Sequence, residues 1–306
     1  MIRHMMPIFM VFLLFAGCGG KKQETTADEP QYTIFVTIQP LRSLAEAIAG
    51  NRAEVRTFLL PEIDPRTYVP VPEDSARLSH SGILFQVGLG LDEWAAVPAL
   101  RAEDGPRIVP VSVGVPVLPL LPERLWKKFL DADKVPKHGN AFVWLDPAIT
   151  ADLILPAMLK AIIAADPKKE LAYRANFSKM QEEVKTFSED TRAKIAYLKG
   201  SAVILHNGSF LYFCRQYGIH VIDIIEPFPG YVASDEDLTE IFEFAKEKKP
   251  VAVLVETFAN TESARKIADQ LEIPIIVIDP FGNENEGYID LMKRNIKAIS
   301  KIEVKK

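Results

Sequence analysis

From Pro167 to Leu198 the chain runs for about thirty residues with no glycine and no proline after the first, carrying Leu171, Phe177, Met180, Val184, Phe187 and Ile195 at helical spacing. At about 1.5 Å per residue such a helix exceeds 40 Å, so it must cross the molecule rather than close one layer of it. On both sides, short β-branched and apolar runs alternate with longer helical patterns, the mark of βαβ units. Strands are predicted at Tyr32–Thr37, Glu54–Leu59, Ile83–Val87 and Ile108–Val111 before the helix, and at Ala202–Leu205, His220–Ile224, Val251–Val255 and Ile275–Ile278 after it. Helices are predicted at Phe210–Tyr217, Asp235–Lys248 and Ala264–Leu271. The expected architecture is α/β: an N-terminal lobe over 32–166, a spine helix over 167–199 and a C-terminal lobe over 200–306, in keeping with 306 residues at roughly 100–200 per domain. A helical spine in place of a Gly/Ser/Pro-rich linker predicts small rocking rather than wide closure. Strand ends from both lobes should face a cleft, where a ligand would sit.

The first residues point to export. Arg3 and His4 precede an apolar run from Ile8 to Ala16, so 1–17 read as a signal peptide. That run is shorter than the roughly 20 residues a membrane span needs, and no later segment is expected to span either. Phe15-Ala16-Gly17-Cys18 resembles a bacterial lipobox, in which the cysteine is lipidated and becomes the new N-terminus. Residues 18–31 are polar and without apolar period, as suits a flexible tether. With Cys18 lipidated, Cys214 has no partner for a disulfide in an oxidising compartment and should be a buried small hydrophobe. A net charge of −5 argues against nucleic acid as a partner.

Several loops stand where a predicted strand ends or a helix starts. They are Asp64-Pro65-Arg66-Thr67-Tyr68-Val69-Pro70-Val71-Pro72-Glu73-Asp74, whose prolines stiffen the support of Arg66 and Tyr68, then Gly88-Leu89-Gly90-Leu91-Asp92-Glu93-Trp94, Phe142-Val143-Trp144-Leu145-Asp146-Pro147, His206-Asn207-Gly208-Ser209-Phe210-Leu211-Tyr212-Phe213 and Asp279-Pro280-Phe281-Gly282. In this order, behind a lipobox, they resemble the zinc- and manganese-binding solute-receptor lipoproteins of bacterial metal ABC importers. The resemblance covers about residue 32 to the C-terminus. It implies two lobes, each a four-stranded, mainly parallel sheet with flanking helices, joined by one spine helix as a C-clamp. It also implies a monomer on the periplasmic side of the cell envelope, anchored to a bacterial membrane by lipid, with an ABC permease as partner and Zn2+ or Mn2+ as cargo held between the lobes.

The resemblance further implies four metal ligands: three at positions usually histidine, the third sometimes glutamate, and one aspartate. Here those positions read Arg66, Phe142, Asn207 and Asp279. Arginine has no lone pair to give and repels a dication, phenylalanine has no donor, and an amide oxygen is a weak zinc ligand. One carboxylate does not make a zinc site, so metal binding is expected to be weak, altered or lost. A rebuilt site could draw on His206, one residue before the third position, and on His138, with Asp279; a solvated loop position between Lys137 and Gly139 is the alternative for His138. Arg66 could instead act as a substitute cation for Asp279, or hold a small anion or organic ligand in a pocket lined by Phe142, Asn207, Phe228 and Tyr231. Catalysis is not expected: no G-x-S-x-G, H-E-x-x-H or P-loop pattern occurs, and Ser209 near His206 lacks an orienting third group.

Overall fold

A computed structural model describes residues 32–129, 138–257 and 259–304. The expected signal peptide, tether and lipidated Cys18 lie outside these residues. The first sheet is built from β1 (Thr33–Val36), β2 (Glu54–Thr57), β3 (Ile83–Gln86) and β4 (Arg107–Pro110), all parallel, in the order β2-β1-β3-β4. The second, from β5 (Ala202–Leu205), β6 (His220–Ile224), β7 (Val253–Glu256) and β8 (Ile275–Ile278), repeats that arrangement as β6-β5-β7-β8. Parallel neighbours need crossovers on the sheet faces, and strands covered on both faces are apolar throughout. Accordingly every residue of β3 and β7 is buried. In both sheets the chain leaves the first strand in opposite directions, so the carboxyl ends of the central strands flank a topological switch point.

The spine is shorter than the sequence pattern promised. Its α-helix spans Glu170–Lys194, with 3-10 turns at Pro167–Lys169 and Ala196–Leu198, and covers about 37 Å. Tyr173, Met180, Val184 and Phe187 form its buried face. The expectation that no later segment is long and apolar enough to span a membrane needs correction. The helical stretch Pro147–Ala165 is, with a mean hydropathy of 1.8. Its position explains the composition. It packs against β3, the helix Gln39–Ala49 and the spine, burying Ile149, Ile154, Leu155, Met158 and Ile162, and a helix enclosed on several sides has to be apolar nearly all round.

The two halves share one hydrophobic cluster containing Phe85, Trp144, Tyr173, Phe210 and Tyr288. Directed bonds reinforce it. Trp144 Nε1 donates to the Pro280 carbonyl at 2.8 Å, Tyr288 Oη to the Trp144 carbonyl at 2.8 Å, and Asn140 Nδ2 to the Gly208 carbonyl at 2.6 Å. Each would have to break for the lobes to swing apart. Cys214 is buried, and burial pushes its thiol up to about 12.

At the carboxyl end of the first sheet, Asp92 is fully buried. It accepts bonds from the Thr37 hydroxyl (2.5 Å), Val87 N (2.7 Å) and Gly88 N (2.8 Å). Burial pushes its carboxyl up to about 6 despite these donors. Because the folded value lies above the unfolded one, its contribution is fully present below about pH 4 and is lost as pH rises through 6. We predict that the stability of the native protein relative to Asp92→Asn is about 2–3 kcal/mol greater at pH 4 than at pH 7. Urea unfolding of both proteins at the two pH values checks this, and a pH-independent difference would contradict it.

Candidate functional site

Parallel pairing brings the carboxyl ends of the second sheet to one edge, and each strand end there carries an ionisable side chain. His206 follows β5, Glu226 lies beyond β6, Glu256 closes β7 and Asp279 follows β8. Backbone bonds extend the ladder to hold them: His206 N donates to the Leu254 carbonyl at 2.8 Å and Glu226 N to the His206 carbonyl at 2.7 Å. Facing them is the loop after β2. The Trp94 indole N–H fixes it through the Pro65 carbonyl at 2.9 Å, and Tyr68 packs on Trp94 with ring centroids 4.7 Å apart. Between loop and strand ends lies a cavity of about 360 Å3.

Arg66 reaches into this cavity from the loop. Its Nε and Nη2 bond both oxygens of Asp64 at 2.7–2.9 Å, and Nη2 bonds Glu256 Oε2 at 3.0 Å. Burial works to lower the Arg66 pKa, but the charges of Glu256 and Asp64 outweigh it and raise the value above the ordinary one. The guanidinium carbon sits 5.8 Å from the Phe142 ring centroid. Phe142 packs in turn on Trp144 and Phe281, with centroids at 5.1 and 5.9 Å.

Asp279 is not the partner of Arg66, contrary to expectation. Its Oδ1 accepts from Phe281 N (2.9 Å) and Gly282 N (3.0 Å), and its Oδ2 from Arg294 Nη2 (2.8 Å). Arg294 lies on the helix Tyr288–Ile299 that follows β8 and reaches the acid from its own lobe, whereas Arg66 meets Asp64 and Glu256 first. Asn207 lines the cavity as a helix cap, its Oδ1 accepting from Ser209 N at 3.1 Å. Phe228 also lines it. Two further candidates stand apart. Tyr231 is held away from the cavity, donating to Asp237 Oδ2 at 2.7 Å and packing edge-on against Phe129 and Phe228. His138 is exposed, its ring against Gly90, where even a Cβ would come within 2.9 Å.

His206 lines the cavity, yet neither ring nitrogen has a hydrogen-bond partner among the described residues; Nε2 is 3.4 Å from Glu226 Oε1. Glu256 Oε1 is likewise unpartnered. No three His, Cys, Asp or Glu side chains converge to hold a metal ion among the described residues. Sequence reading missed Asp64, Glu226, Glu256 and Arg294 as site residues. Asking which ionisable residue ends each predicted parallel strand would have found the two glutamates.

A family model described as zinc-uptake complex component A, periplasmic (ZnuA), matches residues 34–302. The chain belongs to the ZnuA family. Among curated ZnuA-family relatives, the manganese-binding lipoprotein MntA of Halalkalibacterium halodurans is 25% identical over 298 residues, covering 94% of each chain. The manganese ABC transporter substrate-binding lipoprotein PsaA of Streptococcus pneumoniae is 20% identical over 310 residues, covering 97% of this chain and 96% of its own. The fold is shared with a ZnuA crystal structure (TM-score 0.75, 22% identity, 89% of this chain and 98% of that one). It is also shared with the nickel complex of FpvC from P. aeruginosa (TM-score 0.75, 18% identity, 88% and 96%). The ZnuA family comprises substrate-binding proteins of metal ABC transporters. The pairing of Arg66 with Glu256 across the cleft is testable. We predict that Arg66→Ala destabilises the protein by about 1–3 kcal/mol, because it leaves Glu256 buried without its cation, and that the cost shrinks in a Glu256→Gln background. A double-mutant cycle by urea denaturation measures the coupling; strict additivity would contradict it.

Proposed function

We propose that this chain is the solute receptor of a metal-type ABC importer in which a built-in guanidinium has taken over the charge role of the metal. The observation that carries the reading is the bond from Arg66 to Glu256 across the cleft, with Phe142 beside it. A metal ion entering here finds two of the nearest carboxylates, Asp64 and Glu256, already bonded to a permanent cation that cannot itself act as a ligand. The remaining donors do not fit zinc or manganese. Asp279 is committed through both oxygens, Asn207 offers one amide oxygen that caps a helix, and Phe142 offers nothing. His138 and His206 do not rebuild the set, since His138 does not line the cavity and, among the described residues, Glu226 is the one carboxylate paired with His206.

Membership of a solute-receptor family favours binding over catalysis. The names of the lipoprotein relatives support the reading of Cys18 as a lipid anchor, with the folded body outside the cytoplasm and an ABC permease in the membrane as partner. The division into residues 1–17, 18–31, 32–166, 167–199 and 200–306, and a monomeric state, belong to the same reading. Capture of a small anion by Arg66 is the weaker alternative, because Nε and Nη2 of the guanidinium are engaged and carboxylates outnumber cations among the described residues lining the cavity.

Two outcomes are expected in calorimetric titration. The native protein binds zinc and manganese at least about a hundredfold more weakly than a receptor with a full set of three imidazoles and a carboxylate. The triple variant Arg66→His, Phe142→His, Asn207→His gains zinc affinity. Nanomolar zinc binding at unit stoichiometry by the native protein would overturn the proposal, and a folded triple variant with no gain would show that these positions do not converge.

A further inference from the structure

Among the described residues, the cleft carries more negative charge than its cations balance. Arg66 stands against Asp64 and Glu256, and Arg294 against Asp279 and Glu286. Among the described residues, Glu226 has no Lys or Arg partner; the His206 ring lies 3.4 Å from it. Two deeply buried side chains on the cavity wall also have unmet polar atoms. His206 is 2% exposed with both ring nitrogens unpartnered, and Glu256 is 7% exposed with Oε1 unpartnered. Leaving buried polar atoms without hydrogen bonds is costly, so such groups mark a place where a ligand's polar atoms belong. Phe142, Phe228, Phe281 and Pro227 add apolar and aromatic patches to the wall.

These features select among ligand classes. A bare dication needs several donors at one point, and among the described residues no three His, Cys, Asp or Glu side chains converge. An anion would meet the surplus of carboxylates. An organic ammonium or guanidinium matches on each count: N–H donors for separated acceptors, positive charge for the unbalanced acid, and hydrocarbon for the rings, whose faces attract cations. A cavity of about 360 Å3 is large enough for such a molecule.

We infer that the cleft binds a small organic cation bearing primary ammonium or guanidinium groups, with N–H donors directed to Glu226, Glu256 and His206 and its carbon chain against Phe142 and Phe228. This rests on the reading that the cleft has lost its metal, and it names the class of solute that replaces it.

The test is calorimetry and thermal unfolding of the purified protein with 1,4-diaminobutane, agmatine, succinate and zinc chloride as separate probes. Either amine is expected to bind at unit stoichiometry and raise the melting temperature, while succinate does neither. Glu226→Gln and Glu256→Gln are each expected to weaken amine binding tenfold or more. Glu256 also holds Arg66, so the Glu226 variant, whose carboxylate supports no arginine, keeps the test decisive if the other fails to fold. Absence of amine binding by the folded native protein, or unchanged binding in Glu226→Gln, overturns the inference and leaves the proposed loss of metal standing. Nanomolar zinc binding overturns the loss of metal instead.

Discussion

The contact between the Arg66 guanidinium and Glu256 determines what the space between the two sheets can hold. Parallel sheets deliver their strand ends to one edge, and in the second half of this chain those ends are His206, Glu226, Glu256 and Asp279. Gathered without cations, such carboxylates would repel one another or take up protons. Arg66 and Arg294 prevent this from opposite sides, one across the cleft and one from behind β8. The arrangement remains acidic even so, and this excess gives the cavity its character.

The scaffold restricts how the cavity could adapt. Trp144, Asn140 and Tyr288 bond across from one half to the other, and the shared apolar core includes residues of both sheets and the spine. Close-packed interiors yield by small shifts rather than by opening. A ligand therefore enters a cleft whose shape is largely preset, and recognition falls to the charges and rings already lining it. The loop bearing Arg66 belongs to the same economy of motion, since Trp94 and Tyr68 fix it from outside the cavity.

Much of the fold was legible because its signals are local. The eight predicted strands fall on β1–β8 with shifts of two residues or fewer at every end, since β-branched runs between helical patterns need no long-range information. The spine was overextended because helical spacing continues through Pro167–Lys169 and Ala196–Leu198, where the backbone tightens into 3-10 turns. The helix Pro147–Ala165 was underrated because a stretch enclosed by protein resembles one that spans lipid. Residues around the cavity were partly legible: motif order pointed to Arg66, Phe142, Asn207 and Asp279, which line one cavity together with Phe228, but partner choice was hidden. Arg294 neutralises Asp279 from fifteen residues downstream, and Tyr231 follows the capping box at Ser234 and Asp237 rather than the cleft. Both outcomes depend on side-chain direction in three dimensions, which spacing does not encode.

The chemistry of residue 66 also explains why its effect is permanent. A lysine there would offer one compact charge and could not grip both oxygens of Asp64 while bonding Glu256; the planar guanidinium does so with two of its nitrogens. A histidine would carry charge only part of the time near neutral pH and, when neutral, would present a lone pair to a metal. Arginine removes both options together: it stays charged at every physiological pH, and the flanking acids raise its pKa further. On the proposed reading, a cleft built this way responds neither to proton concentration at that position nor to a metal seeking a ligand there, and selectivity comes from Glu226, Glu256, His206 and the aromatic side chains.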